Sequence, residues 1–539
     1  MTALVRSMLR CRPSMWMSLR WAVTITVCLV LPRGVCVQRG RRVVMPASLH
    51  GFGEPKTATG PWVRSGFMPK DWSSAGLDLH IGIGTGTGTA GGRRSGLESA
   101  LREAVRSGRL RSGTLLPSTR GLAKELGFSR GTVSAAYDQL TEEGYLTVRP
   151  GSGTRVADVP AADPSPAAPD APRRSPRHDL RPGLPDVSAF PVQAWLRACR
   201  RVLESAPPQT FGAGDPQGQP RLRSAVADYL GRTRGVLTTP DRVVITSGFH
   251  QSVGLLSRVL TERGIGAVAM EDPGHNAYRE VVQRAGIATP ALTVDAWGAR
   301  VASLATQDIG AVVVTPSHQY PTGVPLHPDR RQSLCEWARA TGGLIVEDDY
   351  DGEFRYDRQP VGALQGIAPE HVVYCGTVSK TLGPALRLAW MVLPRHLVGP
   401  VVKAKEETDL YTETIGQLVL AELISTHAYE RHIRAARLRY RRRRELLLEH
   451  LAAFPALTPH GVPAGLHTLV TLPPGGITER RLLADCADRG IALRGLTELH
   501  HQTTADTPQG LLIGFAAPSE HGYPIALEAL SSVMAEAIR

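Results

Sequence analysis

Residues 344–354 read LIVEDDYDGEF. An apolar run, Leu344 to Val346, passes directly into carboxylates at Glu347, Asp348, Asp349 and Asp351, with Tyr350 among them. A short apolar strand that ends in acids sets its polar groups at the carboxyl edge of a sheet, where open α/β sheets gather ligand groups. Similar runs recur at Val243–Thr246 (VVIT), Ala267–Met270 (AVAM), Ala311–Thr315 (AVVVT) and Val372–Cys375 (VVYC), separated by helical patterns. Apolar runs without alternation belong to strands covered on both faces. They predict a large α/β domain with a mostly parallel central sheet and flanking helices.

The segment after the last of these runs, Tyr374–Trp390, reads YCGTVSKTLGPALRLAW. It places one amine, Lys380, beside Thr377, Ser379 and Arg387, in what reads as a strand-to-helix turn. An aldehyde cofactor such as pyridoxal 5′-phosphate needs an amine for a Schiff base and a clamp for its phosphate. It also needs an acid that keeps its ring nitrogen protonated. Asp348 is positioned to be that acid, and Tyr350 to reach the cofactor's phenolic oxygen. In VVITSGFHQSVGLL, Gly248 opens a helix whose first amides, Phe249 and His250, form an anion site. EDPGHNAY offers His275 to stack on a ring, and TPSHQYPTG follows a further strand. Singly, Lys380 reads as a surface lysine and Asp348 as a helix cap. Four such signals after successive strands point to one pocket.

The first third of the chain has a different grammar. Leu97, Leu101 and Val105 form a four-residue stripe, and residues 116–156 read LPSTRGLAKELGFSRGTVSAAYDQLTEEGYLTVRPGSGTRV. Ser118 is a natural N-cap, Leu122, Ala123 and Leu126 a buried face, and Gly127 a stop. Ser129 caps a second helix with Val133, Ala136, Tyr137 and Leu140 inward, ended at Gly144. Tyr145–Val148 and Thr154–Val156 flank a hairpin turn. The pattern is a winged helix-turn-helix. The exposed start of its second helix, Ser129, Arg130 and Thr132, points to the major groove of double-stranded DNA, and Arg149 to phosphates.

With 539 residues the chain exceeds one compact core, so two or more domains are expected. The net charge of +13 is uneven: residues 1–67 hold ten Lys/Arg against one acid, Glu54. The overall basicity therefore says little about nucleic acid. Seven cysteines without a CxxC pair argue against a zinc site or disulfide framework, and fit a reducing cytosol. Ala22–Leu31 (AVTITVCLVL), behind Arg6, Arg10, Arg12 and Arg20, has the outline of a signal-peptide core and is short for a membrane span. The expectation is that residues 1–75 are an unstructured or mis-assigned extension, with translation starting at Met45 or Met68. The protein is then cytoplasmic, without membrane contact; the alternative is a regulator tethered by Ala22–Leu31. The winged helix-turn-helix occupies 76–156, a Pro/Ala-rich linker 157–179 and the large domain 180–539. Gly84–Gly92 reads as a flexible lead-in.

The N-terminal block resembles the winged-helix domain of GntR-family regulators, which implies a dimer that contacts double-stranded operator DNA through Arg120, Ser129, Arg130, Thr132 and the wing with Arg149. GLPDVSAFPVQAW, GDPQGQPRLRSAVADYL, TSGFHQS, EDPG, TPSHQYPTG, EDDYDGEF and GTVSKTLGPALR together resemble fold-type-I aminotransferases, and more narrowly the aminotransferase-like half of MocR-type regulators. The resemblance implies a smaller C-terminal α+β subdomain, a head-to-tail homodimer and bound pyridoxal 5′-phosphate. Lys380 becomes the Schiff-base lysine, Asp348 the pyridinium partner and Tyr350 the phenolate partner. Phe249, His250, Thr377, Ser379 and Arg387 hold phosphate. Three positions depart from the aminotransferase pattern: Ala213 and His275 replace tyrosines, and Leu512 replaces the arginine that anchors a substrate carboxylate. Arg494 is the candidate substitute anchor. The reading is a regulator that senses pyridoxal phosphate, an amine or an amino acid, without net turnover beyond half-reaction chemistry. The alternative is a working aminotransferase with an accessory DNA-binding head.

Overall fold

The computed structural model describes residues 90–158, 176–357 and 361–537. Ala22–Leu31, Met45, Met68 and most of the expected linker lie outside them. Among the described residues no helix is long and apolar enough to cross a membrane. The chain falls into two compact units that divide within the 159–175 stretch.

The first unit comprises α1 (Ala90–Arg106), α2 (Thr119–Leu126), α3 (Arg130–Glu142), β1 (Leu146–Arg149) and β2 (Gly153–Val156). Helix α1 begins earlier than the sequence pattern indicates: Gly91 and Gly92 are helical, although they read as lead-in. The following turn is held by an Arg94–Glu98 ion pair and by Arg93 over the Phe128 ring. Ser118 caps α2 by accepting from Gly121 N at 3.1 Å, and Gly127, at φ +65°, ends it. Leu97, Leu101, Val133, Ala136, Tyr137 and Leu140 close one core. Arg102 clamps Glu143 through a two-bond fork of 2.9 Å each, fixing α1 on α3. β1 and β2 pair antiparallel from Leu146↔Val156 to Arg149↔Gly153, which forms the wing.

The second unit opens with β3 (His178–Asp179), followed by α4 (Val192–Ser205), α5 (Pro220–Arg234), β4 (Val243–Thr246), α6 (Phe249–Glu262), β5 (Val268–Asp272) and α7 (Asn276–Arg284). Next come β6 (Ala291–Asp295), β7 (Gly298–Ala299), β8 (Ala311–Val314), β9 (Leu344–Asp348), β10 (Val372–Thr377) and β11 (Ala389–Val392). These build an eight-stranded mixed sheet in the order β4-β11-β10-β9-β8-β5-β6-β7. The central strands β10, β9, β8, β5 and β6 are mutually parallel, and β11 runs against both of its neighbours. The turn after β10 therefore leads to a strand, where the sequence pattern indicates a helix. Gly383 and Pro384 permit only one 3-10 turn, Pro384–Leu386, before β11. A long helix, Ala428–Leu451, leads to a C-terminal subdomain with β12 (Thr458–His460), β13 (His467–Thr471), β14 (Ile491–Ala492), β15 (Arg494–Gly495) and β16 (Gly510–Gly514). Its four-stranded sheet runs β12-β13-β16-β15. His178 and Asp179, read as the end of the linker, instead pair in parallel with β14.

Beneath the carboxyl edge of the main sheet lies a fully desolvated ion pair. Arg234 donates to Asp349 through Nε at 2.7 Å and Nη2 at 2.9 Å, and the Tyr374 hydroxyl donates to the same carboxylate at 2.6 Å. Removing one member of such a pair leaves a bare buried charge. Asp349→Ala is therefore expected to destabilise this unit by about 3–5 kcal/mol, with Asp349→Asn losing less, read from chemical denaturation midpoints.

Candidate functional site

In the first unit the predicted DNA-facing residues lie on α2 (Arg120), at the start of α3 (Ser129, Arg130 and Thr132) and on the wing strand β1 (Arg149). Arg120, Ser129, Arg130 and Arg149 are exposed, and Thr132 is half-buried. The Ser129 hydroxyl accepts from Thr132 N at 3.1 Å and lies 2.8 Å from the Thr132 hydroxyl. Ser129 thus aims α3 as its N-cap, and Arg130, the first residue of α3, projects from that fixed end.

In the second unit a cleft of about 750 Å³, part of it open to solvent, gathers the ends of β5, β8, β9 and the loop after β10. Its lining includes Phe249, His275, Asp348, Tyr350, Lys380 and Arg494. β9 and β10 pair in parallel with Asp348 opposite Cys375, so the acid and the lysine loop leave neighbouring strands on one side. Burial pushes the Asp348 carboxyl well up and Lys380 down; each charge opposes the shift of the other. Lys380 Nζ donates to the Gly183 carbonyl at 2.6 Å.

Gly248, at φ +145°, precedes α6, and a Cβ there would stand 3.0 Å from Arg387 Nη2. The bare backbone lets the exposed Arg387 guanidinium approach the first turn of α6, where unsatisfied amides of Phe249 and the exposed His250 favour an anion. Ser379 N donates to the buried Thr377 hydroxyl at 3.1 Å, and the two hydroxyls lie 3.0 Å apart, which fixes the turn into Lys380. His275 stacks on Tyr278 with centroids 3.9 Å apart, and burial pushes its pKa down to about 3, so the ring is neutral. The amine, the buried acid and the anion cradle fit a phosphorylated aldehyde with a basic ring nitrogen. Such a group supplies electrophilic imine chemistry when bound. Lys380 would hold its aldehyde carbon, Asp348 its ring nitrogen, and Arg387 with the α6 amides its phosphate.

Several residues of the site carry no signal in the sequence. Glu271 is wholly buried and accepts from the Thr315 hydroxyl at 2.5 Å; burial raises its pKa to about 7. His318 is hidden within TPSHQYPTG. Its Nδ1 lies 2.8 Å from Asp351 Oδ2 and 3.1 Å from the Tyr350 hydroxyl, which in turn donates to the His318 carbonyl at 3.2 Å. Gly465 makes room for that imidazole: at φ +72°, a Cβ would come within 2.2 Å of the ring. Arg494 faces Leu512 across β15 and β16, so the two side chains share a sheet face. Leu512 is buried with Tyr320, Tyr350, Leu469, Leu496 and Leu499. Arg494 donates to Asn276 at 2.9 Å and pairs with Glu498. At the Ala213 position, the neighbouring Gly214 lies under the Tyr411 ring, which a Cβ would approach to 2.5 Å.

A gripping helix-turn-helix module joined to a sheet-edge pocket of this kind defines a DNA-binding protein with an aminotransferase-like body. Residues 94–156 match the family described as bacterial regulatory proteins, gntR family, and residues 183–530 match aminotransferase class I and II, a family that binds pyridoxal phosphate. The HTH-type pyridoxine biosynthesis transcriptional regulator PdxR of Corynebacterium glutamicum is 31% identical over 428 residues, covering 79% of this chain and 92% of that protein. The probable rhizopine catabolism regulatory protein MocR of Rhizobium meliloti is 34% identical over 381 residues, covering 66% of this chain and 77% of that protein. Among solved structures, a Pyrococcus horikoshii kynurenine aminotransferase in complex with PMP superposes with a TM-score of 0.60 at 26% identity, covering 67% of this chain and 91% of that one. The chain belongs to the aminotransferase class I and II family and, with its gntR-type head, to the MocR-type transcriptional regulators. DNA binding resides in the gntR-type domain.

The His318 contact predicts a split between two substitutions. His318→Asn places an amide near the Nδ1 position and is expected to keep cofactor affinity. His318→Phe, which removes the imidazole from both Asp351 and the Tyr350 hydroxyl and leaves that hydroxyl only the residue-318 carbonyl, is expected to weaken it about 3- to 10-fold, as read by fluorescence titration with pyridoxal phosphate.

Proposed function

We propose that this regulator holds pyridoxal 5′-phosphate on Lys380 and uses the pocket to sense either that cofactor or a primary amine or amino acid that reacts with it. The observation that supports it is the convergence of Lys380 and the desolvated acid Asp348 in one cleft, whose wall at Phe249 adjoins the Gly248–Arg387 anion cradle. A body of this kind on the same chain as an operator reader has regulatory use only if ligand binding favours one arrangement over another. The likeness to PdxR, a pyridoxine biosynthesis transcriptional regulator, supports vitamin B6 compounds as a first effector class to test.

The proposed organisation is an extension over 1–75, the winged helix-turn-helix over 76–156, a linker over 157–179 and the pocket-bearing domain over 180–539. We further infer a head-to-tail homodimer in the cytoplasm. Exposed apolar side chains at Val187, Val192, Leu196, Leu203 and Phe211 support it: this much apolar surface on and beside α4 favours cover by a second copy. Arg494 is assigned to the effector carboxylate because it stands opposite Leu512 at the cleft wall. The competing reading, a working aminotransferase, is disfavoured by the apolar burial of Leu512 where an anchoring arginine is expected.

Two measurements check the proposal. Purified protein is expected to show the visible absorbance of lysine-bound pyridoxal phosphate, and Lys380→Ala to lose it; an unchanged spectrum in the variant refutes the assignment. Arg130→Ala is expected to weaken operator binding by about 1–3 kcal/mol in a footprint or anisotropy titration. An unchanged footprint would remove Arg130 from the interface.

A further inference from the structure

The segment that emerges from the linker is also the lip of the pocket. Its first residues are stitched into the C-terminal subdomain: His178 and Asp179 pair with β14, Leu180 N donates to Ala492 O at 2.9 Å, and Gly514 N donates to Leu180 O at 2.7 Å. Further on, Asp186 is held by the buried Arg443 at 3.0 Å, and its amide donates to the Tyr440 hydroxyl at 3.0 Å. Arg443 is itself fixed by the carbonyls of Ala516 and Pro518 at 3.0 and 2.7 Å. Between these two anchors Pro182 and Gly183 line the cleft. There the Gly183 carbonyl accepts the 2.6 Å hydrogen bond from Lys380 Nζ. Gly183 sits at φ +76°, and a Cβ would stand 3.1 Å from that amine. A side chain here would crowd the lysine, in a backbone conformation that L residues avoid.

We propose that Lys380 is a switchable tie between the cofactor loop and this strap: its free amine holds the Gly183 carbonyl, and its engaged amine releases it. This rests on the reading of Lys380 as the lysine that carries the cofactor. Condensation of the amine with an aldehyde forms a carbon–nitrogen double bond and expels the carbonyl oxygen as water, with both of the neutral amine's protons. The nitrogen is then turned toward the aldehyde carbon and has at most one proton left. An incoming primary amine takes over the double bond and passes two protons to the lysine nitrogen, which leaves as a free amine able to donate again. The strap thereby distinguishes cofactor alone from cofactor that has met an amine. In sequence, the strap directly follows the stretch that leads from the helix-turn-helix domain.

The test is hydrogen–deuterium exchange on full-length protein loaded with pyridoxal phosphate, with and without O-methylhydroxylamine. This probe captures the aldehyde as an oxime and frees the lysine, whatever the natural effector is. Amides of residues 180–186 and of Gly514 are expected to exchange about 2- to 10-fold more slowly after treatment, the worth of one added hydrogen bond, and Lys380→Ala is expected to show no response. Conversion of the visible band to that of the oxime without slower exchange would overturn the tie and leave the cofactor assignment standing. So would slowing in Lys380→Ala. Absence of any visible band in the untreated protein would remove the cofactor assignment, and the tie with it.

Discussion

Two opposite charges taken out of water at the ends of neighbouring strands govern this structure. Asp348 closes β9, and Lys380 follows β10. Burial works against the charged form of each, and each opposes the other's shift. Neither residue is well placed without the other, and both depend on a parallel register that sets Asp348 opposite Cys375. The apolar strands on both sides of this edge fix the two groups in place. A ring nitrogen for the acid, an aldehyde for the amine and a phosphate for the Gly248–Arg387 cradle satisfy all three at once.

A second layer of buried polar contacts keeps that edge rigid. The Arg234–Asp349–Tyr374 cluster lies directly under it, and the His318–Asp351 pair stands behind Tyr350. Glu347 accepts from the amides of Leu364 and Gln365 at 2.9 and 3.0 Å, with its pKa pushed up to about 7 by burial. The run EDDYDGEF thus divides its acids by what each one faces. Asp348 faces the cleft, while Glu347, Asp349, Asp351 and Glu353, which accepts from the Tyr229 hydroxyl at 3.2 Å, hold the scaffold.

This division was only partly legible in the sequence. Strand periodicity exposed the parallel sheet and the position of Asp348, because unbroken apolar runs and their terminal acids are local patterns. The caps at Ser118 and Ser129 were equally local, as was the glycine stop at Gly127. What could not be read were contacts made across long chain separation. His318 meets Asp351 and Tyr350 only through the fold. The Gly183 carbonyl has no side chain to announce it. The loop from Lys380 to Arg387 looked helical because its small residues fit a helix start, and only pairing of β11 against β10 reveals the strand. Arg494 gains its interest from lying opposite Leu512, a register that composition cannot convey.

A covalent attachment at one lysine in one pocket underlies the proposed sensing. Borohydride reduction of the native protein, followed by peptide mapping, measures it directly. The account predicts a phosphopyridoxyl group on the peptide that contains Lys380 and on no other. An unmodified Lys380 peptide, or the label on another lysine such as the buried Lys405, would contradict it.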